Sequence, residues 1–463
     1  MKIENGLKLS ALSAPVERLF ALAAEKTLAL DRRWQQGDGA PVFTIAGSYT
    51  ARAWTAWTQG FQFGNALLAF EITGDRRLLE VGRKATVREM AEHLTHTGVH
   101  DHGFNNLSTY GQLRRLMLEG AIERNEWELA FYELALKVSG AVQAARWTNL
   151  GGGEGYICSF NGAHSLFIDT IRTVRICGVS HMLGHALMGE QDAKINLLGR
   201  LLRHGKTTAK FNLYYGEGRD IYDTPERRGR TSHEAIFNVA SGAFRCPSTQ
   251  QGYSAFSTWT RGLSWAMLGF AEELEFLATL PESEFTAAGA GTKAEIMAIF
   301  ERAARAACDF YMDQAAALDG ICYWDTGAPE LHRLGDWKSR AAEPCNDFEP
   351  VDSSASAIAA QGLLRLGHYL GATGERYFQA GLTVSRRLLE DEYLALNPAH
   401  EGILLHSVYH RPNGWDTIPA GAKVPAGESS MWGDYHLLEL GTLLLKLTKG
   451  SYYTFFGAEG AGK

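Results

Sequence analysis

Apolar residues recur at intervals of three and four along almost the whole chain, and the alternation expected of half-buried strands is scarce. This periodicity predicts helices near 15–34, 59–72, 76–97, 107–122, 125–145, 162–177, 181–204, 258–279, 292–316, 353–370, 375–392 and 429–448. Taken in sequence they pair as six helical hairpins, which predicts an all-α fold: an (α/α)6 barrel whose hairpins close into a toroid. A short internal echo supports repetition, since Ile72-Thr-Gly-Asp-Arg-Arg-Leu-Leu-Glu-Val-Gly82 resembles Ala372-Thr-Gly-Glu-Arg-Tyr-Phe-Gln-Ala-Gly381. In both, Thr-Gly reads as a helix stop and the following acid as a helix start. No Pro/Gly/Ser-rich linker divides the chain, so a single domain spanning 1–463, with short terminal extensions, is the simplest organisation.

The helices are joined by long connections at 35–58, 146–161, 205–257, 317–352 and 393–428, rich in Gly, Trp, His and Asp. Long connections in a compact domain usually carry function, and these are expected to gather at one mouth and wall a pocket. One helix start leads out of such a connection: Ser257-Thr-Trp-Thr-Arg-Gly-Leu-Ser-Trp-Ala-Met-Leu-Gly-Phe270, with Ser257 or Thr258 as the expected N-cap. Trp259, Arg261 and Trp265 crowd its first two turns. A buried guanidinium needs an anionic partner, and two indoles around a fixed cation suit a sugar ring bearing a carboxylate. An interfacial helix start with a snorkelling arginine accounts for the same residues.

Composition narrows the functional classes. Aromatic residues make up 11% of the chain, with 11 Trp and 17 Tyr, the usual platforms for carbohydrate rings. The net charge is −7 and the pI near 6.1, which argues against a general nucleic-acid binder. Cys158, Cys177, Cys246, Cys308, Cys322 and Cys345 are scattered without a CxxC pair, as expected of reduced thiols. The first ten residues lack the apolar run of a signal peptide, and no run of about 18 uncharged apolar residues occurs, so no membrane partner is expected. The cytoplasm is the expected location, with the periplasm as the alternative if a signal segment has been cleaved.

Two carboxylates stand out as candidate chemistry. Asp101 lies in the turn-like Gly98-Val-His-Asp-His-Gly-Phe104, where a plain turn or capping role also fits. Asp169 lies in an apolar helical stretch beside Phe167, Ile168 and Ile171, where desolvation is expected to raise its pKa toward that of a general acid. An ion pair with Arg172 is the structural alternative. His233 and Gln251 taken alone are ordinary loop residues. His181 and His185 have helical zinc spacing but lack the intervening Glu, and His93, His96, His100 and His102 form no convincing ligand set, so no metal and no cofactor are expected. The glycine-rich tail Gly457–Lys463 lacks the Ser/Thr and helix of a P-loop, and Gly151–Gly155 lacks a strand-turn-helix context. Asn106-Leu-Ser108 fits a glycosylation triplet that matters only in a secreted protein.

In combination and in order, these segments resemble glycoside hydrolase family 88, the unsaturated glucuronyl hydrolases. Trp57-Thr-Gln-Gly-Phe61 resembles its early Trp-Thr-x-Gly-Phe. His100-Asp-His-Gly-Phe104 and Phe167-Ile-Asp169 resemble the segments that carry its two active-site aspartates. Gln251, Trp259, Arg261-Gly262 and Trp265 fit a Gln-Gly…Trp-x-Arg-Gly-x-x-Trp block, with His233 upstream of it. Tyr323-Trp-Asp325, Asp352-Ser-Ser-Ala355 and Trp432-Gly-Asp-Tyr435 also look like family blocks. The resemblance implies the (α/α)6 barrel and, as partner, an oligosaccharide whose non-reducing end is a 4,5-unsaturated uronic acid. It implies that Asp169 protonates C4 and deprotonates the water adding at C5, after which the hemiketal opens. It implies that Asp101 orients the ring or stabilises the developing charge, that His233 and Gln251 position water and hydroxyls, that Arg261 pairs with the uronate, and that Trp57 and Trp265 stack on the sugar. Two departures lie near the expected pocket: Ala255-Phe256 where the family has acidic residues, and the additional polar stretch Tyr214–Arg230. Unsaturated rhamnogalacturonyl hydrolysis, an inverting glycosidase and a non-catalytic carbohydrate-binding barrel are the competing readings. The penultimate sugar and the oligomeric state stay open.

Overall fold

Capping chemistry fixes where many of the helices begin. In the computed structural model, which describes residues 1–34, 37–53 and 56–457, Asn125, Asn196, Asp352 and Ser430 each accept backbone N–H bonds at the helix start they precede. Thr292 and Glu295 form a reciprocal capping box. The helices so defined include Ser13–Arg33, Gln59–Thr73, Arg76–Glu89, Glu126–Ala145, Leu197–Phe211, Thr260–Thr279, Lys293–Phe310, Ser353–Leu370, Glu375–Leu388 and Met431–Thr448.

They lie in two layers. The helices Thr260–Thr279, Ser353–Leu370 and Met431–Thr448 are buried on nearly every face, as inner helices must be. The outer helices, such as Ser13–Arg33 and Arg76–Glu89, bury one stripe only. The inner succession returns on itself. Gln59–Thr73 packs on the wide turn Leu107–Gly111, and His102–Asn105 packs on Thr170–Thr173. That turn in turn packs on Thr260–Thr279, which meets Ser353–Leu370, then Met431–Thr448, which packs back against Gln59–Thr73. A buried ion-pair network joins the inner helices: Arg172 and Arg175 with Glu272, Arg172 with Glu439, and Arg365 with Glu272.

Several expected elements differ. In place of one helix at 162–177 there is a strand, Ser165–Phe167, then two short helices, Thr170–Thr173 and Arg175–Met182. The strand pairs with Glu234–Phe237, which pairs with Phe244–Ser248. The stretch 181–204 holds a hairpin, Ala186–Met188 with Lys194–Asn196, before its helix starts at Leu197. Neither Ser257 nor Thr258 caps the 260–279 helix. The chain there pairs with the 323–326 segment, so the Thr260 N–H donates to the Trp324 carbonyl at 3.1 Å and the Thr326 N–H to the Thr258 carbonyl at 3.0 Å. The echo is half real. Gly74 ends its helix in the left-handed region at φ 70°, but Gly371 (φ 57°) ends the later one, and Gly374 precedes the next helix start. The tail after Gly457 lies outside the described residues. Among the described helices none is long and apolar enough to cross a membrane.

Candidate active site

Two glycines let the site segments close together. A Cβ on Gly103 would sit 2.0 Å from the Thr173 carbonyl oxygen, so only glycine allows the His102–Asn105 turn against Thr170–Thr173. A Cβ on Gly262 would meet Trp259 at 2.5 Å and Ile168 at 3.1 Å. The first contact seats the Asp101 segment against the Asp169 segment, and the second seats the Arg261 helix on the same turn.

The result is a cavity of about 550 Å³ into which both aspartates face. Its wall is aromatic on most sides, with Trp57, Phe104, Phe160, Trp259, Trp265, Tyr409 and Trp415. Asp101 and Asp169 are buried, with 7% and 8% of their surface exposed. Each precedes a short helix, yet neither side chain caps it, so the carboxylates are held for something other than helix ends. The alternative ion pair for Asp169 is absent, because Arg172 reaches Glu272 at 2.9 Å and Glu439 at 2.8 Å instead.

The partner of Asp169 is His100, whose Nε2 lies 3.1 Å from Asp169 Oδ1 and 3.8 Å from Asp101 Oδ1. This overturns the expectation of a raised Asp169. Burial pushes its carboxyl up, but His100 beside it, with Arg261 farther off, outweighs burial and holds it below the ordinary range. Asp101 goes the other way: burial pushes its carboxyl up, and the Asp169 charge adds to that. His100 resists its own burial because two carboxylates flank it, and its pKa is raised. The sequence placed His100 only in a motif and a discarded metal cluster.

Arg261 lines the cavity but is already occupied. Its Nη1 donates to Asp352 Oδ2 (2.8 Å) and the Val408 carbonyl (2.6 Å), and its Nη2 to Gln251 Oε1 (2.9 Å) and the Tyr409 carbonyl (2.9 Å). Trp259 and Trp432 sandwich the guanidinium at 4.8 and 4.9 Å. Without ligand, both Nη groups serve protein acceptors, as a cation this buried requires, and a two-pronged grip on a uronate would have to share or displace them. Gln251 faces the cavity, and with Oε1 tied to Arg261 its amide NH2 is the donor it presents.

His233 is buried, with 3% of its surface exposed. It does not line the cavity but sits behind the wall, between Phe167 and Trp259 at 4.4 and 4.7 Å. Its Nδ1 accepts the N–H groups of Gln250 (3.0 Å) and Gln251 (3.3 Å), which puts its proton on Nε2. Burial lowers its pKa to about 4, so it is neutral and shapes the Gln250–Gln251 turn. Trp57 and Trp265 both line the cavity. Trp57 stacks on Trp432 at 5.2 Å, and Trp265 packs on Phe104 at 4.8 Å.

Tyr409, His410, Asn413 and Trp415 complete the wall and were missed; their only signal was the long 393–428 connection. The two sequence departures touch each other. Tyr222 of the additional stretch stacks on Phe256 at 4.0 Å, and Arg230 donates to the Ala255 carbonyl at 3.3 Å. An apolar stack thus occupies the place of the acidic residues. Among the described residues, no group of three or more His, Cys, Asp or Glu side chains is arranged to hold a metal ion.

A helix-rich fold and an aromatic pocket with two buried carboxylates suit a glycoside hydrolase, and the similar proteins indicate that class. The similar proteins make this specific. An unsaturated glucuronyl hydrolase of Bacillus sp. (strain GL1) is 26% identical over 412 residues, covering 86% of this chain and 87% of that one. An unsaturated chondroitin disaccharide hydrolase of Streptococcus agalactiae serotype III is 22% identical over 398 residues, covering 83% and 80%. The fold is shared with a solved unsaturated glucuronyl hydrolase specific for heparin, at TM-score 0.70 and 19% identity over 96% of this chain and all of that one. The Bacillus sp. GL1 enzyme structure matches at TM-score 0.68 and 21% identity, over 96% and 100%. No protein-family model matches the chain. Over most of its length the chain is thus similar in sequence, and alike in fold, to unsaturated glucuronyl hydrolases.

Proposed function

We propose that this chain releases 4,5-unsaturated uronic acid from the non-reducing end of lyase-generated oligosaccharides by hydrating the C4–C5 vinyl ether. The observation that carries this reading is the pair Asp101 and Asp169, facing one aromatic cavity with His100 between them. In this reading Asp169 delivers a proton to C4. Positive charge then develops at C5 and the ring oxygen, and Asp101 stabilises it across the cavity. Water adds at C5, giving its proton to Asp169, and the hemiketal opens to release the remaining sugar. The relatives support the substrate class: one solved structure similar in fold is described with dGlcA-Glc-Rha-Glc, and another with dGlcA-GalNAc6S.

Substrate contacts follow from the geometry. Trp57 and Trp265 offer faces for the sugar ring. The Gln251 amide donates to the uronate, held in position by Arg261 and by the turn that His233 shapes. The closed inner succession of helices supports a six-hairpin toroid, and the continuity of the packing supports one domain from 1 to 463. The test is a panel of unsaturated disaccharides from heparin, chondroitin, hyaluronan, gellan and pectin, followed by the ultraviolet absorbance of the double bond. Loss of absorbance with at least one uronyl product is expected. Persistence across the whole panel overturns the reading.

A further inference from the structure

Asp169 stands on the ionised side of its equilibrium, yet a carboxylate cannot protonate a carbon until it has taken up a proton itself. The structure supplies a donor at hydrogen-bond distance. His100 Nε2 is 3.1 Å from Asp169 Oδ1, and two phenylalanine rings pack on the imidazole. Thr173 Oγ1 donates to the His100 carbonyl at 2.7 Å. Phe160 stacks on the ring at 5.8 Å, and Phe167 meets it edge-on at 5.5 Å. Nδ1 is buried with no hydrogen-bond partner within the protein, so Nε2 is the atom through which this ring exchanges a proton with its neighbours.

The charged and titratable groups around it come from several elements. Asp101 and His96 belong to its own segment, Asp169 to the turn after the 165–167 strand, and Arg146 to the end of the 126–145 helix. His204 comes from the 197–211 helix and His233 from beside the 234–237 strand. The two carboxylates favour an imidazolium, while Arg146 opposes it.

We propose that His100 is a positioning residue that stores the proton Asp169 delivers, so that acid and base work at Asp169 draws on a proton shared across one 3.1 Å contact. The inference rests on the hydration reading above. The Nε2–H bond of the imidazolium breaks as the Asp169 O–H bond forms, leaving a neutral ring and a carboxylic acid. Asp169 then gives that proton to C4, takes one from the water adding at C5, and returns it to Nε2. The net change is addition of one water across the double bond, and His100 ends as it began. Asp101, whose Oδ1 lies 3.8 Å from the same Nε2, keeps the imidazolium from being stranded as Asp169 cycles.

The test pairs kinetics with a spectroscopic readout. In His100→Gln, kcat on an unsaturated disaccharide should fall about 10²-fold or more, within the range for lost acid–base assistance, with KM changed little. Its alkaline limb should move to lower pH by about one unit or more, because the acid form of Asp169 must then exist unaided. A merely structural role predicts an unmoved limb, and that result overturns the proposal. Independently of activity, 15N-histidine NMR of the full chain, with His100 assigned by its absence in His100→Gln, follows the ring directly. Asp169→Asn should lower the His100 pKa by about one unit or more, and an unchanged titration overturns the shared proton. If the wild-type chain leaves every unsaturated product intact, the hydration reading falls, and the NMR result alone decides the proton sharing.

Discussion

Removing the charge of Asp352 should strand Arg261. Asp352 is fully buried and has two tasks: Oδ2 accepts the Arg261 guanidinium at 2.8 Å, and Oδ1 accepts the N–H groups of Ser354 and Ala355 at 3.2 and 3.3 Å. Asp352→Asn keeps an oxygen for the helix cap but leaves the guanidinium without its anion. Breaking one partner of a buried ion pair costs about 3–5 kcal/mol. The three neutral acceptors left on Arg261 place this case near the low end, about 3 kcal/mol. Asp352→Ala also loses the cap, adding about 1 kcal/mol. Urea unfolding followed by circular dichroism measures both. The decisive comparison is the double variant Asp352→Asn with Arg261→Met, which removes the stranded charge and should unfold at higher urea than Asp352→Asn alone. A cost under about 1 kcal/mol for the single variant, or a double variant weaker than either single one, refutes the argument that Arg261 is neutralised within the fold.

Other consequences follow from the same packing. Gly103→Ala puts a methyl 2.0 Å from the Thr173 carbonyl and should cost about 3 kcal/mol in urea unfolding, with activity lost as the two aspartate segments separate. A wild-type midpoint there contradicts the close approach. Trp57→Leu should raise KM about tenfold, equivalent to about 1.4 kcal/mol, with a smaller change in kcat; steady-state kinetics on the unsaturated disaccharide decide it. His436 is buried beneath Trp265 and held neutral, with burial lowering its pKa to about 4. Its contribution to stability is fully present above the unfolded value of about 6.5 and is lost as pH falls through about 4. The gap in unfolding free energy between wild type and His436→Gln should therefore narrow from pH 7 to pH 4, and a constant gap refutes it.

Local patterns carried most of the fold. The helices at 59–73, 126–145 and 353–370 were legible because their periodicity and caps lie within a few residues of one another. The 162–177 stretch was not, because the strand Ser165–Phe167 is three residues long and acquires its partner, Glu234–Phe237, only in the folded chain. The candidate site shows the same division. The burial of Asp169 could be read from its apolar neighbours, but its net charge state is set by His100, 69 residues away. The crowding of Arg261 by indoles was equally visible. What neutralises it in the ligand-free chain is Asp352, 91 residues on, a partner that no local pattern reveals. His233 could be placed near the site by its motif, but that its Nδ1 holds the backbone of Gln250 and Gln251 could not be read from sequence.

The central claim is that water adds to the double bond and that Asp169 moves the proton. It is tested most directly by running the reaction on a lyase-generated unsaturated disaccharide in D2O and reading the released uronate by NMR. The account predicts loss of the vinyl signal, one solvent deuterium at C4, and neither change with Asp169→Asn. Release of a uronate that keeps its double bond, or turnover by Asp169→Asn at the wild-type rate, contradicts it.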